Sequence, residues 1–111
     1  MMTPPRWEVE CRLMDTNFPQ LEPFSQNGLA GFRGYLEGPR SRRFYGVLIS
    51  AAIPDYPQAP PKVFMEPHPE THHWYTDGSL CFAWNGWQWD PARGTMAMAI
   101  LVASKYLEEF D

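Results

Sequence analysis

The chain has 111 residues, a net charge of −4 and nine lysines and arginines. That is the size of a single domain spanning residues 1–111, and it argues against a dedicated nucleic-acid binder, whose affinity rests on neutralised phosphates. Apolar residues make up 44% of it and aromatics 15%, enough for a hydrophobic core without a disulfide framework.

Residues 3–18 read as an amphipathic helix. Thr3 is a natural cap, and Pro4 or Pro5 suits a first turn whose N–H groups have no helical acceptor. Trp7, Cys11, Met14 and Phe18 form one apolar stripe, with Glu8, Glu10 and Arg12 largely off it. Asn17-Phe18-Pro19 ends the helix, because the residue before proline leaves the α region. A strand meander follows. In residues 29–37, Ala30, Phe32 and Leu36 share one parity, and Arg33, Tyr35 and Glu37 the other. Gly38-Pro39-Arg40-Ser41 is turn chemistry. Residues 44–53 form a second, β-branched and aromatic run, and residues 62–65 a short third. Short connections make these strands antiparallel neighbours. Arg40, Arg42 and Arg43 gather at the first hairpin tip, either as a solvated edge that blunts aggregation or as a docking patch.

From Gly94 onward, Met96, Ile100, Ala103, Leu107 and Phe110 repeat at spacings of four and three, which predicts a second helix. Asp90-Pro91 is a helix-start signal just upstream. Residues 66–90 show no clear periodicity, and irregular stretches of that length in compact domains are often functional. An α+β domain results: N-terminal helix, antiparallel meander, long loop, C-terminal helix.

No apolar run approaches the roughly 18 residues of a membrane span, and MMTPPRWEVE lacks the charged-then-apolar pattern of an export signal. A cytoplasmic protein without a membrane partner is therefore expected. Two cysteines are too few for a disulfide scaffold, so Cys11 and Cys81 are expected as reduced thiols. Cys11 sits on the helical stripe and reads as a small core residue.

Three strings stand out. Pro54-Asp55-Tyr56-Pro57-Gln58-Ala59-Pro60-Pro61 is a rigid extended connector, able to hold a cis X-Pro bond. His68, His72, His73 and Cys81 invite a zinc reading. However, no C-x-x-C pair exists, and adjacent histidines rarely both reach one tetrahedral ion. A thiol nucleophile beside an imidazole is more economical, with no metal or cofactor. Asp77-Gly78 is a turn that delivers Cys81 to a defined surface position; the plain alternative is another buried thiol. Trp84, Trp87 and Trp89 either cover the end of the core or offer a docking face, with core cover the expectation for Trp89.

Together these strings resemble the ubiquitin-conjugating enzyme superfamily. The resemblance lies in order and spacing: Y-P-x-x-P-P-K-V at residues 56–63, His68-Pro69, G-S-L-C at residues 78–81, and W-x-P at residues 89–91 before a helix. It covers roughly residues 5–110. It implies that fold, shortened after the C-terminal helix where typical members continue with two more. It also implies that Cys81 accepts the C-terminus of a ubiquitin-like protein from an activating enzyme as a thioester, then passes the acyl group to an amine.

The chain departs from the family at His-Pro-Asn, where Glu70 replaces the asparagine, and residues 68–73 look like a small insertion. His73, eight residues before Cys81, falls at about the asparagine's spacing and is able to donate to an oxyanion or act as base. Bacterial members of anti-phage operons are similar, and attach a ubiquitin-like protein or a cyclic-nucleotide synthase through its C-terminus. On this resemblance the catalytic set is Cys81, His73 and Asp77, and the binding set is Trp84, Trp87, Glu108 and Asp111; the acidic end either draws an acceptor lysine or, the plainer reading, is a solvated helix end. The alternative is a non-catalytic module of the same fold that recognises a partner or its tail.

Overall fold

The computed structural model describes residues 1–69 and 72–111. Glu70, where the sequence departs from the family motif, lies outside the described residues.

The described residues form helix α1 (Pro4–Asn17), strands β1 (Glu22–Gln26), β2 (Leu29–Glu37), β3 (Phe44–Ala52) and β4 (Lys62–Glu66), and helix α2 (Met96–Phe110). The strands make one antiparallel sheet in the order β1-β2-β3-β4. An α+β architecture is thus present: a helix, a four-stranded meander and a helix.

Thr3 caps α1 by accepting from the Arg6 N–H at 3.3 Å, with the two prolines in the first turn. Phe18 leaves the helical region before Pro19. Thr95 caps α2, accepting from the Met98 N–H, so the helix starts there and not at Asp90-Pro91. The side chain of Asp90 instead accepts from the Ala92 N–H in the preceding turn.

Strand β1 departs from the sequence reading, which begins the meander at residue 29. It pairs along its whole length with β2, through a two-residue turn in which Asn27 (φ 54°) and Gly28 (φ 78°) are both left-handed. That geometry matches the right-handed strand twist and favours Asn-Gly. Proline is tolerated in β1 because the strand lies at the sheet edge.

One face of the sheet carries the core. Phe32, Val47, Ile49, Val63 and Met65 point inward, at most 4% exposed, against Met14 of α1 and Met96, Ile100, Ala103 and Leu107 of α2. Each large apolar side chain removed from water contributes about 1.5–3 kcal/mol, which makes this layer the main source of stability. The opposite sheet face presents Tyr35, Phe44 and Leu48 to solvent.

Glu10 is a correction to the stripe reading. It is fully buried. Its Oε1 accepts from Arg6 Nε at 2.9 Å and from the Tyr56 hydroxyl at 2.8 Å, while Oε2 accepts from the Met96 N–H at 2.8 Å. A carboxylate of α1 thereby serves the positive end of α2. Arg6 also donates to the Tyr56 hydroxyl at 3.2 Å and to the Gly94 carbonyl at 2.6 Å. The network joins α1, the proline connector and the start of α2. Burial first, and then the Glu10 carboxylate, push the Tyr56 phenol above its ordinary pKa.

The connector does contain a cis bond, Tyr56–Pro57, and a second lies at Glu66–Pro67. Trp89 is core cover, as expected. Its indole N–H donates to the Pro57 carbonyl at 2.7 Å, and its ring lies 5.7 Å from that of Tyr56.

Candidate functional site

Loop residues 72–90 are organised by two local devices. The first is a tight hairpin over residues 74–80. Trp74 and Leu80 form a bridge, the Tyr75 N–H donates to the Ser79 carbonyl at 2.8 Å, and Gly78 (φ 91°) turns the chain. The hairpin is tacked to the outer edge of the sheet: Ser79 bridges to Phe64, and the Leu80 N–H donates to the Val63 carbonyl at 2.8 Å. The second device is a 3-10 turn at Phe82–Asn85, immediately after Cys81 and closed by Gly86 in the left-handed region.

Asp77 is the clasp of the hairpin. Its Oδ1 accepts from the Ser79 N–H and hydroxyl, and its Oδ2 from Lys62 Nζ at 2.7 Å. An Asp side chain closing on the backbone two residues ahead is the standard Asx turn. The Lys62 ammonium above all, with the Ser79 donors, holds the carboxyl well below the usual carboxylate range. Through those bonds Asp77 holds the shape of the loop.

Cys81 emerges from this framework half-buried, a free thiol. Its N–H donates to the His73 carbonyl at 2.8 Å, fixing the two residues side by side across the hairpin. The Tyr75 hydroxyl, on an exposed ring, neighbours Cys81, and interaction with that thiol first of all raises the phenol's pKa. Sequence reasoning missed Tyr75. The signal was present in its place six residues before the cysteine, on the same side of a short hairpin as the histidine at eight.

The His73 imidazole is half-buried in an aromatic cluster: ring centroids of Phe110, Trp84 and Tyr106 lie at 5.1, 6.3 and 6.4 Å. Trp74 adds a second wall, donating to the Tyr106 hydroxyl at 3.1 Å and stacking on His68 at 4.1 Å. Trp84 packs edge-on to Tyr106 and Phe110, and its buried indole N–H has no acceptor among the described residues. Trp87 lies further along, edge-on to Phe82 and Trp89.

The end of α2 therefore meets the cysteine loop, through Phe110. Glu108 is exposed there. Asp111 is engaged elsewhere: its carboxylate accepts from the β2–β3 turn and from the Tyr45 hydroxyl. Cys81, His73, Trp84 and the end of α2 form one neighbourhood, while Trp87 and the Asp111 carboxylate face other partners.

Cys11 has a different setting. It is half-buried on α1, facing a groove shared with Trp7, Leu21 and Phe32. Burial, then the Glu10 charge, raise its thiol pKa. No group of three or more His, Cys, Asp or Glu side chains able to hold a metal ion occurs among the described residues. An open depression of about 680 Å³ lies on the outer sheet face beside Arg33, Tyr35, Leu48, Phe64 and His68, and Cys81 is not among its lining residues. Chemically, the arrangement offers a partly accessible thiol with a phenol and a histidine as neighbours on a rigid backbone. That suits a nucleophile which takes up and releases an acyl group. No family model, curated protein or solved structure matches the chain.

Proposed function

We propose that the protein is a cysteine-dependent acyl carrier of the ubiquitin-conjugating type. It accepts the C-terminus of a ubiquitin-like protein, or of a cyclic-nucleotide synthase, from an activating enzyme and transfers it to a target amine, in bacterial anti-phage defence. One observation carries the reading: Cys81 is presented half-buried on a clasped hairpin, its backbone paired to His73. A merely structural thiol needs no such clasp. The order of helix, four-stranded meander, cysteine loop and helix supports the same reading.

The chemistry balances without a cofactor. The Cys81 thiolate attacks the acyl carbon of the activating enzyme's thioester. A new S–C bond forms, and the donor thiolate leaves with its electron pair. An amine then attacks the Cys81 thioester, the N–C bond forms, the Cys81 thiolate departs, and the amine proton passes to solvent or to His73. The first step exchanges one thioester for another and needs no strong base. The second develops an oxyanion, which is where a donor such as His73 acts.

Two variants test the assignment. Cys81→Ser is expected to trap a hydroxylamine-resistant ester or to abolish loading, whereas Cys11→Ala is expected to load normally. His73→Ala is expected to slow aminolysis more than loading. Equal loss in both steps would make His73 a loop-positioning residue. Retained loading in Cys81→Ala would overturn the assignment and leave a binding module.

A further inference from the structure

The turn joining β2 to β3 (residues 38–43) is built to hold an anion. The Arg40 and Ser41 N–H groups donate to Asp111 Oδ2 at 2.8 and 2.9 Å. The Ser41 and Tyr45 hydroxyls donate to Oδ1. Gly38 floors the site, since a Cβ there would overlap the carboxylate.

The turn itself is closed by bonds that do not involve Asp111. The Gly38 N–H pairs with the Arg43 carbonyl, the Arg42 N–H pairs with the Gly38 carbonyl, and Arg42 takes the left-handed conformation (φ 62°). The Ser41 Oγ accepts from the Arg43 N–H at 3.1 Å, which leaves its own proton to point at the anion. Successive backbone N–H groups fixed by a turn form a concavity that favours anions.

The surrounding charge exceeds what Asp111 satisfies. Three of the chain's nine cationic residues, Arg40, Arg42 and Arg43, lie on this turn and are exposed. Arg42 pairs with Glu37 at 2.8 Å. The Arg40 and Arg43 guanidiniums have no carboxylate within ion-pair distance among the described residues. The Ser41 donors first, then Tyr45 and the Arg40 N–H, hold the Asp111 carboxyl well below the usual range, so the site strongly prefers a charged occupant. Asp111 also sits at the negative end of α2, where a carboxylate is disfavoured unless other donors offset it.

We infer that residues 38–43 with Tyr45 form a receptor for a carboxylate-bearing acidic peptide segment of a partner, and that Asp111 fills it from within the chain. A second acidic residue in the partner would meet Arg40 or Arg43. The receptor is separate from Cys81 and does not depend on the thiol chemistry.

The test follows the Arg40 and Ser41 amide signals of isotope-labelled protein during titration with N-acetylated tetraglutamate amide. An internal occupant present nine-tenths of the time weakens a competitor about tenfold. Asp111→Ala is therefore expected to bind the peptide about tenfold tighter than the unsubstituted protein, with the largest shifts at Arg40 and Ser41. Arg40→Gln with Arg43→Gln is expected to reverse the gain. Should Asp111→Ala fail to fold, the same pair of substitutions in the otherwise unsubstituted protein carries the test, and unchanged affinity there overturns the proposal. So does equal affinity with and without Asp111, or shifts centred elsewhere. Inorganic phosphate binding as tightly as the peptide would overturn the assignment to a carboxylate ligand.

Discussion

Removing the Glu10 carboxylate tests how the fold is tied together. Three donors from three parts of the chain converge on it: Arg6 Nε, the Tyr56 hydroxyl and the Met96 N–H. Glu10→Ala leaves Arg6 without its ion-pair partner and two buried donors unpaired. Breaking a buried pair from one side costs about 3–5 kcal/mol, and each orphaned donor about 1–3 kcal/mol. These costs overlap, because the groups share one network, so about 3–5 kcal/mol is expected in total. Against the roughly 5–15 kcal/mol that separates folded from unfolded domains, that is a large share. Glu10→Gln keeps the shape but loses the charge on the acceptor and turns an amide N–H toward a donor, for about 1.5–3 kcal/mol. Urea unfolding followed by far-ultraviolet circular dichroism measures both. Glu8→Gln, on the exposed face of the same helix, is the control and is expected to stay within about 0.5 kcal/mol of the parent. A cost below about 1 kcal/mol for Glu10→Ala would refute the network as a determinant of stability.

Gly94→Ala is expected to destabilise by about 1–3 kcal/mol through overpacking, because the new Cβ would fall 2.6 Å from the Trp89 ring; an unchanged unfolding midpoint would contradict that close approach. Asp77 and Asp111 both have folded-state pKa values below their ordinary 3.8. Their stabilisation is complete above that value and is lost as the pH falls through it toward the lower folded-state values. Asp77→Asn and Asp111→Asn are each expected to flatten the acid limb of the stability curve below pH 3.8, and a limb as steep as the parent's would count against the clasp roles. Tyr75→Phe removes the hydroxyl that neighbours Cys81. Alkylation of Cys81 by iodoacetamide at pH 7 is expected to slow about five- to tenfold, with Cys11 slower than Cys81 throughout; unchanged Cys81 reactivity would dismiss the contact as incidental.

Much of the framework was legible from periodicity and punctuation. The α2 stripe, the parity of β2 and the proline stop after α1 are consequences of side-chain period and excluded backbone angles, which a sequence displays directly. Strand β1 was hidden because Glu22-Pro23-Phe24-Ser25-Gln26 is short, polar and interrupted by proline; the Asn27-Gly28 pair was its one local signal. Glu10 was hidden for a different reason. Charged residues are placed at the surface by default, and its partners Tyr56 and Met96 lie 46 and 86 residues away. The Cys81 loop was locatable as a non-periodic stretch, but its internal order depends on Asp77 meeting Lys62 and on Leu80 joining β4, both tertiary contacts. The Asp111 carboxylate illustrates the same limit, since nothing local connects it to a turn 70 residues earlier.

The most direct test of the central claim is the intact mass of the protein under non-reducing conditions, after incubation with ATP, a cognate activating enzyme and the tail-bearing partner. The account predicts an adduct heavier by the partner less one water, released by thiols, absent in Cys81→Ala and retained in Cys11→Ala. An unmodified mass, with the partner still co-eluting on a sizing column, would contradict the acyl-carrier reading and leave a binding module that carries an idle cysteine.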